Sequence, residues 1–204
     1  LVDKSDNSIT KMLNGNKGIT IGDNQYPRAI FSLWTEAERN AINIYTVTID
    51  TSKRKNEQWY INTNITYSFD GTNATGSYGD ATARAHADTT WTQQQIDDGD
   101  APDGADTDTV AVEGLKTKLI RTVKSQAEGE LNRTDWYITR KSEKNTAIPS
   151  AITTHRDAVR SKQAAMETAI TNASDTPALE TLYTYTRQED GSTTRPLGEI
   201  PNLN

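Results

Sequence analysis

The sequence predicts an α+β fold, with a β-rich first half and a helical second half. In the first half, short apolar runs alternate with turn-forming residues, which is typical of strands joined by tight turns. From Leu115 onwards, apolar residues recur at every fourth position, as on one face of an α-helix. An acidic segment separates the two patterns. We therefore expect a β-rich lobe with one short helix over residues 1–88, an acidic connecting loop over 89–112, a helical lobe over 113–185 and an extended C-terminal tail over 186–204.

Turn and capping signals define the elements of the first lobe. The pair Asp6-Asn7 predicts a hairpin between two short strands, and a further short strand is expected over Ile19 to Ile21, between two turns. Thr35 and Glu38 have the spacing of a capping box, in which each side chain bonds to the other residue's backbone amide. A short helix is therefore expected to begin after Thr35.

The clearest strand pattern runs from Trp59 to Phe69, where apolar and polar residues alternate. Such alternation predicts one buried face, comprising Trp59, Ile61, Ile65, Tyr67 and Phe69. Asp70-Gly71 then predicts a turn into a partner strand, and an earlier strand is expected over Ile44 to Ile49. Aromatic residues beside Asn and Thr also occur on sugar-stacking surfaces, so a carbohydrate-binding module is an alternative interpretation.

The acidic segment begins with a second capping box, Thr92 and Gln95, and Gly99 lies where the short helix would end. Aspartates follow in close succession, which suggests a calcium-binding loop. The EF-hand order of ligands, glycine and final glutamate is not met, however. We therefore interpret the segment as a solvated connecting loop and expect no metal or cofactor.

Two long helices are expected in the second half. The first carries the apolar stripe Leu115, Leu119, Val123, Ala127 and Leu131; the second begins at Pro149-Ser150 and carries Ile152, Val159, Met166 and Ile170. The two stripes are expected to face each other in a helical hairpin. Thr134 is the predicted cap of a short helix between them, and Thr176-Pro177 the predicted start of a last helix. Beyond Tyr185, prolines predict an extended chain.

Composition and motifs exclude several functions. The chain has no cysteine, which removes disulfides, thiolate zinc sites and cysteine nucleophiles. Its formal net charge of −6 and its lack of clustered Lys and Arg argue against a nucleic-acid partner. No apolar run approaches the roughly 20 residues of a membrane helix, and no secretory leader is seen. Its histidines, His86 and His155, stand in no catalytic motif, so we expect a protein that is not an enzyme.

The segment from Leu131 to Arg160 carries a family pattern. Leu131, Thr134, Asp135 and Trp136 match Leu-x-x-Thr-Asp-Trp, and Arg156, Val159 and Arg160 match Tyr-Arg-x-x-Leu-Arg, with His155 in place of Tyr and Val159 in place of Leu. Through these motifs the chain resembles the tail assembly chaperone-like and tail fibre accessory proteins of tailed bacteriophages. Residues 21–28 and 35–39 are also similar to the opening of proteins from marine and cyanobacterial myophages.

The resemblance implies a role in a phage tail, and we expect a non-enzymatic structural or accessory protein near the baseplate or the tail fibres. Such a protein would be made in the host cytoplasm and located in the virion, with other tail proteins or further copies of itself as partners. It would be docked through residues 186–204 and the β-rich half. The alternatives are a transient tail or tail fibre assembly chaperone and, thirdly, a carbohydrate-binding receptor module.

The motif also has a physical interpretation. Asp135, in the first turn of a helix, is well placed for the helix dipole and for a charge-assisted hydrogen bond to Arg156 or Arg160. Trp136 would then fill the gap between the two long helices. On that interpretation, Trp136→Ala would destabilise the helical half by about 3 to 5 kcal/mol.

Overall fold

The computed structural model describes residues 1–203 and confirms the α+β class. Asn204, the last residue of the predicted tail, lies outside the described residues. The chain forms two compact units, Leu1–Thr82 and Ala83–Asn204. The division therefore falls before residue 88, the predicted end of the first lobe, and residues 89–112 belong to the second unit. No helix within residues 1–203 is both long and apolar enough to cross a bilayer.

The first unit is built from short strands and two short helices. Its strands are β1 (Val2–Asp3), β2 (Ser8–Ile9), β3 (Ile19–Ile21), β4 (Asn24–Tyr26), β5 (Val47–Asp50), β6 (Tyr60–Ile61), β7 (Thr66–Phe69) and β8 (Ala74–Ser77), and its helices are α1 (Ile30–Leu33) and α2 (Glu36–Ala41). A further strand, β9 (Thr82–Ala83), lies at the division. Both parts of the predicted capping box are formed: Thr35 Oγ1 accepts from the Glu38 amide, and Glu38 Oε2 accepts from the Thr35 amide. The β1–β2 hairpin is also confirmed, with Asn7 in the left-handed region at φ 59°.

The sheet of the first unit has the strand order β5-β8-β7. Strand β8 pairs antiparallel with β7 across the predicted Asp70-Gly71 turn, and parallel with β5. Gly71 has a φ of 95°, which explains why the turn carries glycine. The core of the first unit has two parts, one around Phe69 and Ala74 and the other around Ile19, Ile30 and Ile44.

The prediction of one continuous strand from Trp59 to Phe69 is wrong. The strand breaks between Ile61 and Thr66, where the Asn62 amide group both donates to and accepts from the backbone of Lys55. Such side-chain bonds compete with strand pairing. The predicted alternation fails too, since Trp59 and Tyr60 are both buried, whereas Ile61 and Tyr67 are 54% and 41% exposed. Likewise, the strand expected from Ile44 begins only at Val47.

The second unit contains β10 (Thr89–Thr90), α3 (Gln93–Asp97), β11 (Val110–Val112), α4 (Leu115–Asn132), α5 (Asp135–Lys144), α6 (Ser150–Asn172), α7 (Thr176–Tyr183), β12 (Thr186–Arg187) and β13 (Thr193–Thr194). Residues 89–112, which we call the acidic arm, are thus more than a loop. Strands β10 and β11 pair antiparallel at its base, and the predicted capping box of Thr92 and Gln95 opens α3. The capping box is predicted correctly because its two residues are close in the sequence. The pairing of β10 with β11 joins residues that are distant in the sequence, so no local pattern predicts it.

The helical hairpin is confirmed. Lys116 near the start of α4 bonds the carbonyl of Thr171 near the end of α6, while Arg156 near the start of α6 bonds Leu131 near the end of α4. The two helices are therefore antiparallel. Their apolar stripes form the core, where Val123, Ala127, Val159, Met166 and Ile170 are no more than 1% exposed.

The cap of α7 lies one residue earlier than predicted. Asp175 is the cap, and its Oδ1 accepts from the Ala178 amide at 2.8 Å. Thr176 is buried instead, and its hydroxyl donates to the carbonyl of Arg84. A buried hydroxyl needs such a partner, which local sequence could not reveal.

The prediction of an extended tail over 186–204 is also corrected. Residues 186–194 form the β12–β13 hairpin, whose turn contains Gly191 at φ 83°. The following segment packs on its own unit: Leu197 is 2% exposed, and its carbonyl accepts from Lys162 Nζ on α6. The residues from Glu189 to Ser192 are typical of a turn, and they predict this hairpin better than the prolines predict an extended chain.

Candidate functional site

The motif residues converge on the guanidinium of Arg156. Its Nη1 donates to the Leu131 carbonyl at 2.8 Å, to Thr134 Oγ1 at 2.6 Å and to Asp135 Oδ1 at 2.8 Å. The acceptors all lie where α4 ends and α5 begins, whereas Arg156 lies on α6. We call this arrangement the Arg156 joint, because one side chain ties three helices together.

The local structure places several donors around one carbonyl at the end of α4. The Leu131 carbonyl is among the last of its helix, and it accepts from the backbone amide of Thr134 at 3.0 Å as well as from Arg156. The Thr134 hydroxyl donates to it at 2.9 Å and accepts from Arg156, so the hydroxyl serves both helices. Thr134 is 0% exposed, and water therefore cannot replace these hydrogen bonds.

Asp135 supplies the charge at the joint. It stands in the first turn of α5, where a carboxylate interacts favourably with the helix dipole. Its side chain is 53% exposed, whereas that of Arg156 is 10% exposed. The ion pair is therefore screened on one side, and its contribution is smaller than that of a fully buried pair.

The other predicted site residues fall into two groups. Val159 is fully buried one turn along α6 and packs in the hairpin core, and Leu131 contributes its carbonyl. Arg160 takes no part in the joint, and it pairs instead with Asp157 at 3.3 Å on the surface. Asp135 therefore pairs with Arg156 and not with Arg160.

Two expectations about the joint are wrong. The Thr134 side chain caps no amide of α5, since its hydroxyl is directed to Leu131 and Arg156. Trp136 does not fill the gap between the long helices. It is 50% exposed, because it follows Asp135 by one helical position and therefore points about 100° away around the α5 axis.

Trp136→Ala should accordingly leave the stability nearly unchanged, in place of the loss of about 3 to 5 kcal/mol expected for a buried tryptophan. We expect a change in the free energy of unfolding within about 1 kcal/mol, because surface substitutions rarely do more. Urea unfolding followed by helical circular dichroism measures it. A loss above about 3 kcal/mol would show that the Trp136 side chain is buried in the core.

A second polar cluster, which no sequence pattern predicts, adjoins the joint. Glu130, only 7% exposed, accepts from Arg133 Nη1 and, at 2.6 Å, from the backbone amide of Leu203. Arg133 Nη2 in turn donates to the Leu203 carbonyl at 3.2 Å. His155 Nε2 lies 3.2 Å from Glu130 Oε1 without hydrogen-bond geometry. Glu130 and Arg133 thus hold Leu203 against the end of α4.

The charge of Glu130 is retained despite its burial. Burial alone would raise the pKa of its carboxyl, but the hydrogen bonds from Arg133 and Leu203 and the neighbouring charges together lower the pKa below its usual value of 4.5. A carboxyl whose pKa is lower in the folded than in the unfolded protein stabilises the fold above the unfolded pKa. That contribution is lost as the pH falls through the folded pKa.

We therefore expect Glu130→Gln to flatten the acid limb of the stability profile. Between about pH 6 and about pH 3, the wild type should lose more unfolding free energy than the variant, because only the wild type takes up a proton at this position on unfolding. Urea unfolding across this range measures the difference. Parallel profiles would contradict the assigned role of Glu130.

The joint links three helices through hydrogen bonds and one ion pair. Residues 1–203 contain no cluster of three or more His, Asp or Glu able to hold a metal ion. In the first unit, a cavity of about 510 Å³ is lined by apolar residues such as Leu13, Phe31 and Tyr45, with Lys11 and Arg39 as its charged residues.

Comparison with known proteins gives no further assignment. The chain matches no protein-family model, no curated protein sequence and no solved structure. Its function has to be inferred from its motifs and its own geometry.

Proposed function

We propose that the protein is a non-enzymatic structural or accessory component of a bacteriophage tail, located in the virion near the baseplate or the tail fibres. The observation that carries the proposal is the Arg156 joint. Leu131, Thr134, Asp135 and Arg156, which match the phage tail motif, are distant in sequence yet make direct contacts. This is the arrangement expected if the motif defines a folded unit.

A scaffold role agrees with the chemistry of the joint. The hydrogen bonds of Arg156 Nη1 tie α4, α5 and α6 together, and the surfaces that the joint positions are available to bind partners. Side chains available for such binding include Trp136 on α5 and Val110 and Val112 on the acidic arm, all at least 45% exposed. Exposed aromatic and aliphatic residues commonly mark protein interfaces.

The proposed partners are other tail proteins, and a transient assembly chaperone is the second candidate. Both functions need a stable fold with exposed binding surfaces, and they differ in whether the protein remains in the particle. The carbohydrate-binding interpretation needs exposed aromatic side chains. Trp59 and Tyr60 are buried and cannot stack on a sugar, which argues against it.

Mass spectrometry of purified phage particles, with the host lysate as reference, tests the proposal. We expect peptides of this chain in the particles at an abundance comparable to that of baseplate or fibre proteins. Peptides confined to the infected-cell lysate would overturn the virion role and favour the assembly chaperone. Absence from both at every stage of infection would contradict both.

A further inference from the structure

One face of α5 combines aromatic rings with positive charge. Trp136, Arg140 and Lys144 follow each other at spacings of four, and Tyr137 and Lys141, also four apart, form a second row beside them, so that the five residues share one broad side of the helix. We call this side the α5 face. Trp136 is 50% exposed, and the rings of Trp136 and Tyr137 lie 3.7 Å apart, centroid to centroid.

Arg140 is the centre of the α5 face. Its guanidinium carbon lies 4.7 Å from the centroid of the Trp136 ring and 5.3 Å from that of Tyr137, so two cation–π contacts hold it in place. Its Nε is buried and has no hydrogen-bond partner in the part of the chain that the structure describes. Glu143, three residues further on, forms no described ion pair with it. A fixed, partly buried guanidinium without a carboxylate favours an anionic partner from outside.

The acidic arm has the complementary properties. Between Arg84 and Lys116 the chain contains neither Lys nor Arg. The arm carries six aspartates at positions 97, 98, 100, 103, 106 and 108, none of which forms an ion pair within residues 1–203. It also exposes apolar surface, because Val110 and Val112 on β11 are 45% and 59% exposed. The acidic arm and the α5 face thus each carry both apolar and charged side chains, and their charges have opposite signs.

We propose that the α5 face of one molecule binds the acidic arm of a second copy of this chain. The valines would cover the aromatic rings, and the aspartates would surround Arg140, Lys141 and Lys144. Two molecules that form this contact twice, about a two-fold axis, give a closed dimer, whereas a single contact leaves one free arm and one free α5 face on every pair. Repetition of such a contact gives a closed ring or a filament. The inference does not depend on the phage role.

The test uses two charge-reversed full-length variants and sedimentation velocity. The face variant carries Lys141→Glu and Lys144→Glu, and the arm variant carries Asp100→Lys and Asp103→Lys. These four side chains are exposed, so the fold should be retained, which circular dichroism would check. The control variant carries Lys17→Glu and Arg187→Glu, exposed positions outside both surfaces that give the same change in net charge as the face variant.

We expect the wild type and the control to self-associate at low ionic strength, and each charge-reversed variant alone to associate at least about tenfold more weakly. An equimolar mixture of the two variants should associate again, because the reversed arm of one then faces the reversed α5 face of the other. Added salt should weaken wild-type association, since it screens exposed charges. A monomeric wild type at every concentration, or variants that associate like the wild type, would overturn the proposal. A tail protein lacking self-association would still appear in purified particles, so the two proposals fail separately.

Discussion

Replacing Arg156 with leucine is expected to lower the free energy of unfolding of the helical unit by about 3 kcal/mol. Leucine fills much of the buried volume but donates no hydrogen bond. The Thr134 hydroxyl, fully buried, would lose its donor, and the Leu131 carbonyl would lose one of its partners. Both groups keep their mutual hydrogen bond, so the expected loss is that of buried hydrogen bonds to a charged group, which contribute about 1.5 to 3 kcal/mol each. Urea unfolding of the full chain, followed by helical circular dichroism, measures the loss.

Arg160 offers the matched control. It is the other arginine of the motif, one helical turn along α6, and its side chain is 52% exposed. Arg160→Leu removes the same charge from the same helix, and its expected effect is within about 0.5 kcal/mol. Equal losses for the two substitutions would mean that charge or helix propensity, and not the Arg156 joint, accounts for the effect.

Ile170→Ala is expected to cost about 2 to 5 kcal/mol. Ile170 is 0% exposed near the end of α6, in the apolar stripe that faces α4. Removing its side-chain atoms exchanges close packing for a cavity, and the antiparallel helices on either side restrict relaxation. Thermal or urea unfolding should show the loss, with the native helical signal retained before the transition.

Ile138→Ala controls for helix propensity, because Ile138 lies on α5 and is 43% exposed. Alanine is the better helix former, so this substitution should be neutral or slightly stabilising. A destabilisation comparable to that of Ile170→Ala would show that burial of the α6 stripe is not the source of the expected loss.

The elements that the sequence predicted correctly depend on neighbours in the chain. Both capping boxes, at Thr35 and Thr92, join residues three apart, and the apolar residues of the α4 and α6 stripes recur at spacings of four or seven. Their partners are specified within a few residues. The same holds for the Asp6-Asn7 and Asp70-Gly71 turns, and for the α+β class that follows from these elements.

The failures involve groups that are brought together from a distance. Trp136 was assigned to the core from its residue type, but the direction of its side chain depends on how α5 leaves α4. Glu130 pairs with Leu203, 73 positions away, and no spacing rule connects the two. Thr176 stands before a proline, as a helix cap often does, yet its hydroxyl bonds the Arg84 carbonyl across 92 positions. Propensity cannot anticipate such contacts, and a tertiary hydrogen bond outweighs it.

Sequence patterns predict the contacts of the motif residues only in part. Leu131, Thr134, Asp135, Arg156 and Val159 were correctly expected to hold one helix against another, because a cation and a carboxylate near helix ends attract each other. Sequence spacing does not distinguish Arg156 from Arg160, since residues four apart on a helix lie on nearly the same side. Burial distinguishes them, as Arg156 is 8% exposed.

A double-mutant cycle between Thr134 and Arg156 tests the joint most directly. Thr134→Val keeps the shape of the side chain and removes the hydroxyl that accepts from Arg156. If the two groups act together, the loss in the double variant Thr134→Val/Arg156→Leu falls short of the sum of the single losses by at least about 1 kcal/mol. Urea unfolding of the full-length wild type and the three variants gives this value. Losses that add to within about 0.3 kcal/mol would contradict the joint.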